Sequence, residues 1–244
     1  LKHLHPLPVI SGIDKKNFDN NIRRMYQNQD NPMKLVVITN PYDIKFEIDR
    51  INRMFDEGLD ELHIRKPECD MSTIKKIISQ INKQYHDRIV LHSHYSLVNT
   101  FDIHKIHLGH DWIFNFATEF YLNKIILRGK KVSKSMTIGG CSSLYKPIKG
   151  INELVLGPVF SRASYTMNNQ QIPTDEIEKG LRHSKLPVIA LGGVTSQTLE
   201  FFKNIGFNGI AIQSGVWKSP DPVEAFLEMR DHYMATQHKL RIAV

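Results

Sequence analysis

The chain has 244 residues, 41% hydrophobic and 23% charged, a composition that suits a folded globular protein and excludes a disordered one. Its net charge of +7 fits nucleic acid and small anionic substrates equally well, but no Lys/Arg block longer than two or three residues and no nucleic-acid-reading motif is present, so no nucleic-acid partner is expected. No run approaches the roughly 18 apolar residues of a membrane helix. Cys69 and Cys141 are too few for a disulfide framework, so a reducing cytoplasm is the expected location.

Residues 1–32 are mixed polar and basic, make a poor signal peptide, and are expected to form an extension outside the fold, with a short helix at 15–27; packing over one end of the domain is the alternative. Met33 stands where a fold would begin, and from there a pattern repeats. Leu35–Thr39 is a β-branched run. Phe46–Glu57 carries apolar residues near helical spacing and ends at Gly58. Leu59–Ile64 predicts a strand, and Ser72–Tyr85 a helix capped by Ser72. Ile89–His92 predicts a strand, Tyr95–Phe101 a short helix and Ile106–Leu108 a strand. Trp112–Arg128 predicts a helix, Val132–Gly139 a strand diluted by Ser and Lys, and Leu144–Lys149 a helical turn. Glu153–Leu156 predicts a strand and Thr174–His183 a helix. Pro187–Leu191 and Gly209–Ile212 are the last strands, with a helix at Gln197–Ile205 between them. Pro222–Tyr233 closes the fold as a helix.

Eight short buried strands, each followed by something helical, predict a parallel sheet closed into a (β/α)8 barrel over residues 33–236, with 237–244 as a C-terminal tail. A doubly wound open sheet is the rival, but no early GxGxxG turn supports it. In a barrel, functional groups sit just past the C-terminal ends of the strands. Gly192–Gly193 follow the seventh strand and Ser214–Gly215 the eighth. Glycine lets a backbone approach a ligand closely, and exposed amides favour an anion, so these four residues are the candidate phosphate cradle. Tight turns alone are the plainer reading.

The stretches LHIRKP (62–67), IVLHSHYSLV (89–98), KIHLG (105–109), LVLGPVFSRAS (154–164), PVIALGGV (187–194) and GIAIQSGVW (209–217) occur in an order and spacing that resemble the thiamine phosphate synthase/TenI family from Met33 to about Tyr233. The resemblance implies a barrel that binds a thiazole phosphate at the ends of strands 7 and 8. It implies thiamine biosynthesis, with phosphorylated thiazole and pyrimidine molecules as partners and a homo-oligomer as a compatible assembly. The synthase branch joins a pyrimidine diphosphate to a thiazole phosphate and releases pyrophosphate, using Mg²⁺. In its pattern Arg65 matches the pyrophosphate-binding arginine, while the expected lysine two positions on is Pro67, with Lys66 shifted by one. The family's Asn-Asp pair falls on His92–Ser93. Its later metal Asp falls near Trp112, leaving the adjacent Asp111 as the candidate metal ligand. A second family lysine falls on Tyr165. The TenI branch is metal-free and moves a proton in a thiazole carboxylate phosphate. His107 matches a histidine used there, and the other histidine position falls near Ser142–Ser143. A non-catalytic barrel that binds a phosphate ester is the third reading.

The residues also carry readings of their own. His63 and Arg65 share parity on strand 2, as do Lys105 and His107 on strand 4. Arg65 could hold a phosphate or carboxylate as a rigid fork, or pair with a buried acid. His63, His92, His94, His107 and His110 are unusually dense and raise the question of zinc, but no strand supplies converging ligands by itself. They are read first as a basic, hydrogen-bonding wall, with His107 the acid/base candidate and His63 equally a structural histidine. Ser161, Arg162 and Ser164 could close over a phosphate, or form a solvated loop. Trp217 is read as packing at the end of strand 8.

Overall fold

The computed structural model describes residues 33–109, 115–146, 148–160 and 172–242, with side chains described as far as residue 232. The expected extension at 1–32 therefore lies outside the described residues. The strands are β1 (Lys34–Ile38), β2 (Glu61–Ile64), β3 (Ile89–Leu91), β4 (Lys105–Leu108), β5 (Ser133–Ile138), β6 (Glu153–Leu156), β7 (Val188–Leu191) and β8 (Gly209–Ile212). They pair in sequence order into a closed barrel. All pairs are parallel, and β1 closes on β8 with Val36 opposite Ala211. The helices are α1 (Glu47–Asp56), α2 (Met71–Gln80), α3 (Phe116–Phe120), α4 (Thr174–His183), α5 (Leu199–Ile205), α6 (Ser214–Trp217) and α7 (Pro222–Ile242).

The strands are buried on both faces, which is why they read as continuous apolar runs rather than alternating ones. Outward residues such as Leu62, Ile64, Leu154 and Ile210 pack against helix residues such as Ile51, Ile78, Ile177, Phe202 and Phe226. Inward residues Val36, Ile38, Val155, Ile189 and Ala211 form a separate small cluster inside the barrel. At the N-terminal end of the strands the lining is ionic. Lys34 Nζ lies 2.7 Å from Glu61 and 2.5 Å from Glu153, and Lys105 Nζ lies 2.8 Å from Glu61. That end of a barrel serves stability, and the buried Glu61 carboxylate persists there because the partly buried Lys34 and Lys105 both face it.

Several boundaries differ from expectation for visible reasons. Asp70, not Ser72, caps α2, because its carboxylate accepts from Thr73 N at 2.8 Å. The predicted helix 72–85 stops at Gln80, where Asn52 of α1 donates to the Gln80 carbonyl and accepts from Asn82 N. Lys83–Arg88 then forms a separate 3₁₀ turn. After the undescribed residues 110–114, α3 begins at an Asn115–Thr118 capping box and continues as a π-helix over Tyr121–Ile126. The turn expected at 144–149 lies earlier, as a 3₁₀ turn at Cys141–Leu144. Asp221 caps α7, with Pro222 in the first turn, where its missing N–H costs nothing. The backbone of α7 runs on to Ile242, so most of the stretch expected as a tail is helical. Among the described residues no helix is long and apolar enough to cross a membrane.

The mouth of the barrel is tied together by side chains. Buried Thr39 accepts from Arg65 N at 2.9 Å and donates to Arg65 O at 3.2 Å, which joins the ends of β1 and β2. Gln213 donates to the Thr39 carbonyl at 3.1 Å, and Trp217 Nε1 to the Ile38 carbonyl at 2.7 Å, which joins β8 and α6 to β1. Trp217 is thus buried packing, as expected, with its one polar atom satisfied.

Candidate active site at the barrel mouth

The interior of the barrel is two-sided. The half built by β6, β7, β8 and β1 is the apolar cluster already described. The half built by β2 to β5 is polar. Strand parity turns His63 and Arg65, His92, His107, and then Ser135 and Thr137 toward the axis. The pairing of His63 with Val90 and of His107 with Ser135 sets their relative heights.

Three imidazoles converge there. His63 Nδ1 lies 2.9 Å from His92 Nε2, a hydrogen bond in which one ring donates and the other accepts. The rings of His92 and His107 stack with centroids 4.2 Å apart and planes 22° apart. His107 is held at both nitrogens, with Nδ1 2.9 Å from Ser135 Oγ and Nε2 2.8 Å from Thr137 Oγ1. Tyr95 clamps the strand ends beneath, since its hydroxyl donates to the His107 carbonyl at 2.8 Å. Burial pushes the Tyr95 phenol up to about 12, so it stays a donor.

Burial also keeps these imidazoles neutral. It lowers His63 to about 4, helped by Lys34 and Lys105 and opposed by the Glu61 carboxylate. It lowers His107 to about 3, with His63 and Arg65 adding to the effect. His92 is pushed well below the usual histidine range by burial, then by His107, His63 and Arg65. Arg65 is solvent-exposed, and its charge reaches both His92 and His107. The structure thus gathers Arg65, His92 and His107, with half-buried Ser93 next in the chain to His92.

Lys66 is not at the disposal of a ligand. Its ammonium is fully buried, 2.6 Å from Glu47 Oε2 and 2.8 Å from the Tyr42 carbonyl. This corrects the expected phosphate contact: the residue after Arg65 has the opposite parity, so its side chain leaves the barrel axis and ties β2 to α1 and the β1 loop. His94 likewise turns away, with a left-handed backbone (φ 50°) and Nε2 3.0 Å from the Cys69 carbonyl. Asp111, His110, Ser161, Arg162 and Ser164 lie outside the described residues.

The glycine-bearing ends of β7 and β8 stand on the other side of the mouth. Gly192 and Gly193 have φ of 98° and 74°, which favour glycine. They also have a packing reason to lack a side chain, because a methyl on Gly193 would come within 2.9 Å of the Phe160 ring. Gly193→Ala is expected to cost about 2–4 kcal/mol from left-handed strain plus overpacking. Gly206→Ala, at φ 95° with no atom within 4 Å of the added methyl, should cost only the strain part. Denaturant midpoints of the two variants check the difference. Half-buried Ser214 and Gly215 open α6, and a methyl on Gly215 would come within 2.6 Å of the Val194 carbonyl.

Ser135 and Thr137 escaped the reading of the sequence. Their signal was present: Ser133, Ser135 and Thr137 alternate along β5, the pattern of a strand with one polar face. The polar residues that diluted this strand were marking its inward face.

The resemblance implies Mg²⁺, a hard cation that takes oxygen ligands. Among the described residues, the group at the mouth able to hold a metal is His63, His92 and His107, all nitrogen donors with no carboxylate among them. These residues do not fit Mg²⁺.

The sequence model of the family described as thiamine monophosphate synthase matches residues 35–216. A thiamine-phosphate synthase of Pyrococcus furiosus is 26% identical over 204 residues, covering 82% of this chain and 94% of that protein. One of Bacteroides fragilis is 22% identical over 211 residues, covering 79% and 96%. Among solved structures, a thiamine phosphate pyrophosphorylase of Pyrococcus furiosus superposes with a TM-score of 0.67 at 19% identity, covering 86% of this chain and 98% of the other. One of Bacteroides thetaiotaomicron gives 0.63 at 24% identity, covering 82% and 97%. These two structures agree with the barrel fold. With three quarters of its length matched by the family's model, the chain belongs to the thiamine monophosphate synthase family.

Proposed function

We propose that the protein is an enzyme of thiamine biosynthesis that joins a pyrimidine diphosphate to a thiazole phosphate and releases pyrophosphate. The observation that carries this reading is the placement of the Arg65 guanidinium and the Gly192–Gly193 and Ser214–Gly215 turns at one end of the barrel, within the stretch matched by the family. Backbone amides at these turns would receive the thiazole phosphate, and Arg65 would grip the diphosphate as a fork. The wall of neutral histidines beside Arg65 would hold the pyrimidine end by hydrogen bonds. No step is assigned to Mg²⁺, because the described residues at the mouth do not suit it and the candidate ligand Asp111 lies outside them.

A second reading is a metal-free proton transfer on a thiazole phosphate, with His107 as acid/base. It is favoured by the pair of hydroxyls that orient both nitrogens of His107 and by the lack of a carboxylate in the histidine group. Incubation with both synthase substrates, with Mg²⁺ and then with EDTA, separates the two. Thiamine phosphate should form with Mg²⁺, and Arg65→Ala should lower kcat/KM about 10- to 100-fold, the worth of a charge-assisted hydrogen bond. No product at high enzyme concentration rejects the synthase. Isomerisation of the thiazole carboxylate phosphate that survives EDTA and is lost in His107→Ala would establish the second reading.

A further inference from the structure

We infer that His63, His92 and His107 form a binding site for a borderline divalent transition ion, zinc or cobalt, inside the barrel mouth. This goes beyond the reaction proposed above and draws on the same histidine wall, which a bound ion would occupy. One nitrogen of each ring lies within 4.8 Å of the others. A tetrahedral centre with bonds of about 2.0–2.1 Å needs ligand nitrogens roughly 3.3–3.4 Å apart. The His63–His92 pair, at 2.9 Å, has to open slightly, and the third ring has to close by a side-chain rotation that also breaks the His92–His107 stack.

Three features support a site over a chance cluster. The donors are all imidazole, the ligand type that suits zinc, copper, iron and nickel and is foreign to magnesium and calcium. His63 Nδ1 meets only His92, and Nε2 has no hydrogen-bond partner among the described residues, so the ring can ligate through Nδ1 without breaking a hydrogen bond outside the cluster. His107 has the outer support that metal-binding histidines commonly show: if Nε2 leaves Thr137 for the ion, Ser135 Oγ still holds Nδ1 and sets the ring plane. The charge balance is mixed. Arg65 acts on His92 and His107 and opposes a cation, while Glu61 acts on His63 from the layer below and favours one. Three protein ligands leave the fourth position for water or an oxygen of a bound anion, the arrangement of a reactive rather than a structural ion. Entry is from the His92 side, since His92 is half-buried while His63 and His107 are buried.

The test uses the untagged full chain stripped with EDTA, because a histidine tag would mask the result among the chain's 12 histidines. Titration with Co²⁺, followed by visible absorption, and competition with Zn²⁺ should saturate at one equivalent. His92→Gln should weaken binding at least about tenfold, and His104→Gln, an exposed histidine paired with Asp102, should leave it unchanged. In ¹⁵N-histidine-labelled wild-type protein, Zn²⁺ should move the ring-nitrogen signals of His63, His92 and His107 together. This readout decides the matter even if a variant fails to fold. Absence of one-equivalent binding, wild-type affinity in folded His92→Gln, or ring shifts at other histidines would overturn the inference.

Discussion

Moving the metal-free protein from pH 7 to pH 5 should cost roughly 2 kcal/mol for each of His63 and His107, on the order of 4 kcal/mol in all. The sign follows from proton counting. Unfolded, each imidazole titrates near 6.5, while folded they titrate at about 4 and about 3. Between those values the unfolded chain binds more protons, so stability rises with pH across the window and is lost on acidification. His92 acts in the same direction, because burial lowers it as well. Glu47 and Glu153 are pushed up by burial and act in the opposite direction, near the carboxylate range. Urea unfolding at the two pH values gives the difference directly. His107→Gln, which cannot titrate, should remove roughly 2 kcal/mol of it. A stability unchanged between pH 7 and pH 5 would mean that the imidazoles are not sealed in the barrel as described.

The second large effect is expected at Lys66. Lys66→Met should destabilise the fold by about 3–5 kcal/mol, because it leaves the buried Glu47 carboxylate without its partner at 2.6 Å. For a chain of this size that corresponds to a fall in Tm of roughly 10 °C. The double variant Glu47→Leu/Lys66→Met removes both charges and should recover most of the loss, since a buried pair replaced by apolar groups is often neutral. Thermal unfolding of the single and double variants completes the cycle. If Lys66→Met proved nearly silent in stability but abolished substrate binding, the sequence reading of Lys66 as a phosphate ligand would be restored. The Asn40 amide also donates to Glu47 at 3.2 Å, so the pair holds the β1 loop as well as α1. Loss of the pair should therefore loosen the rim beside Arg65 and raise KM in parallel.

The amino-acid sequence determined the repeating unit and its closure. Short strand-like runs at 8 places, separated by stretches of helical spacing, predict a parallel barrel, and the barrel strands fall within a residue or two of where those runs lie. It also placed Arg65, His107 and the glycine-bearing turns at strand ends, because parity and strand order suffice for that. The fate of Lys66, the inward face of β5 and the meeting of three histidines were decided only by tertiary structure. Residues 63, 92 and 107 are far apart in the chain and lie on, or just past the end of, separate strands, and no local pattern brings their rings together. Closure of the sheet puts β2, β3 and β4 side by side at fixed register, and burial then strips water from what they carry. A sequence can name a side chain and the face it leaves from, but its neighbours and its dielectric surroundings exist only once the barrel is shut.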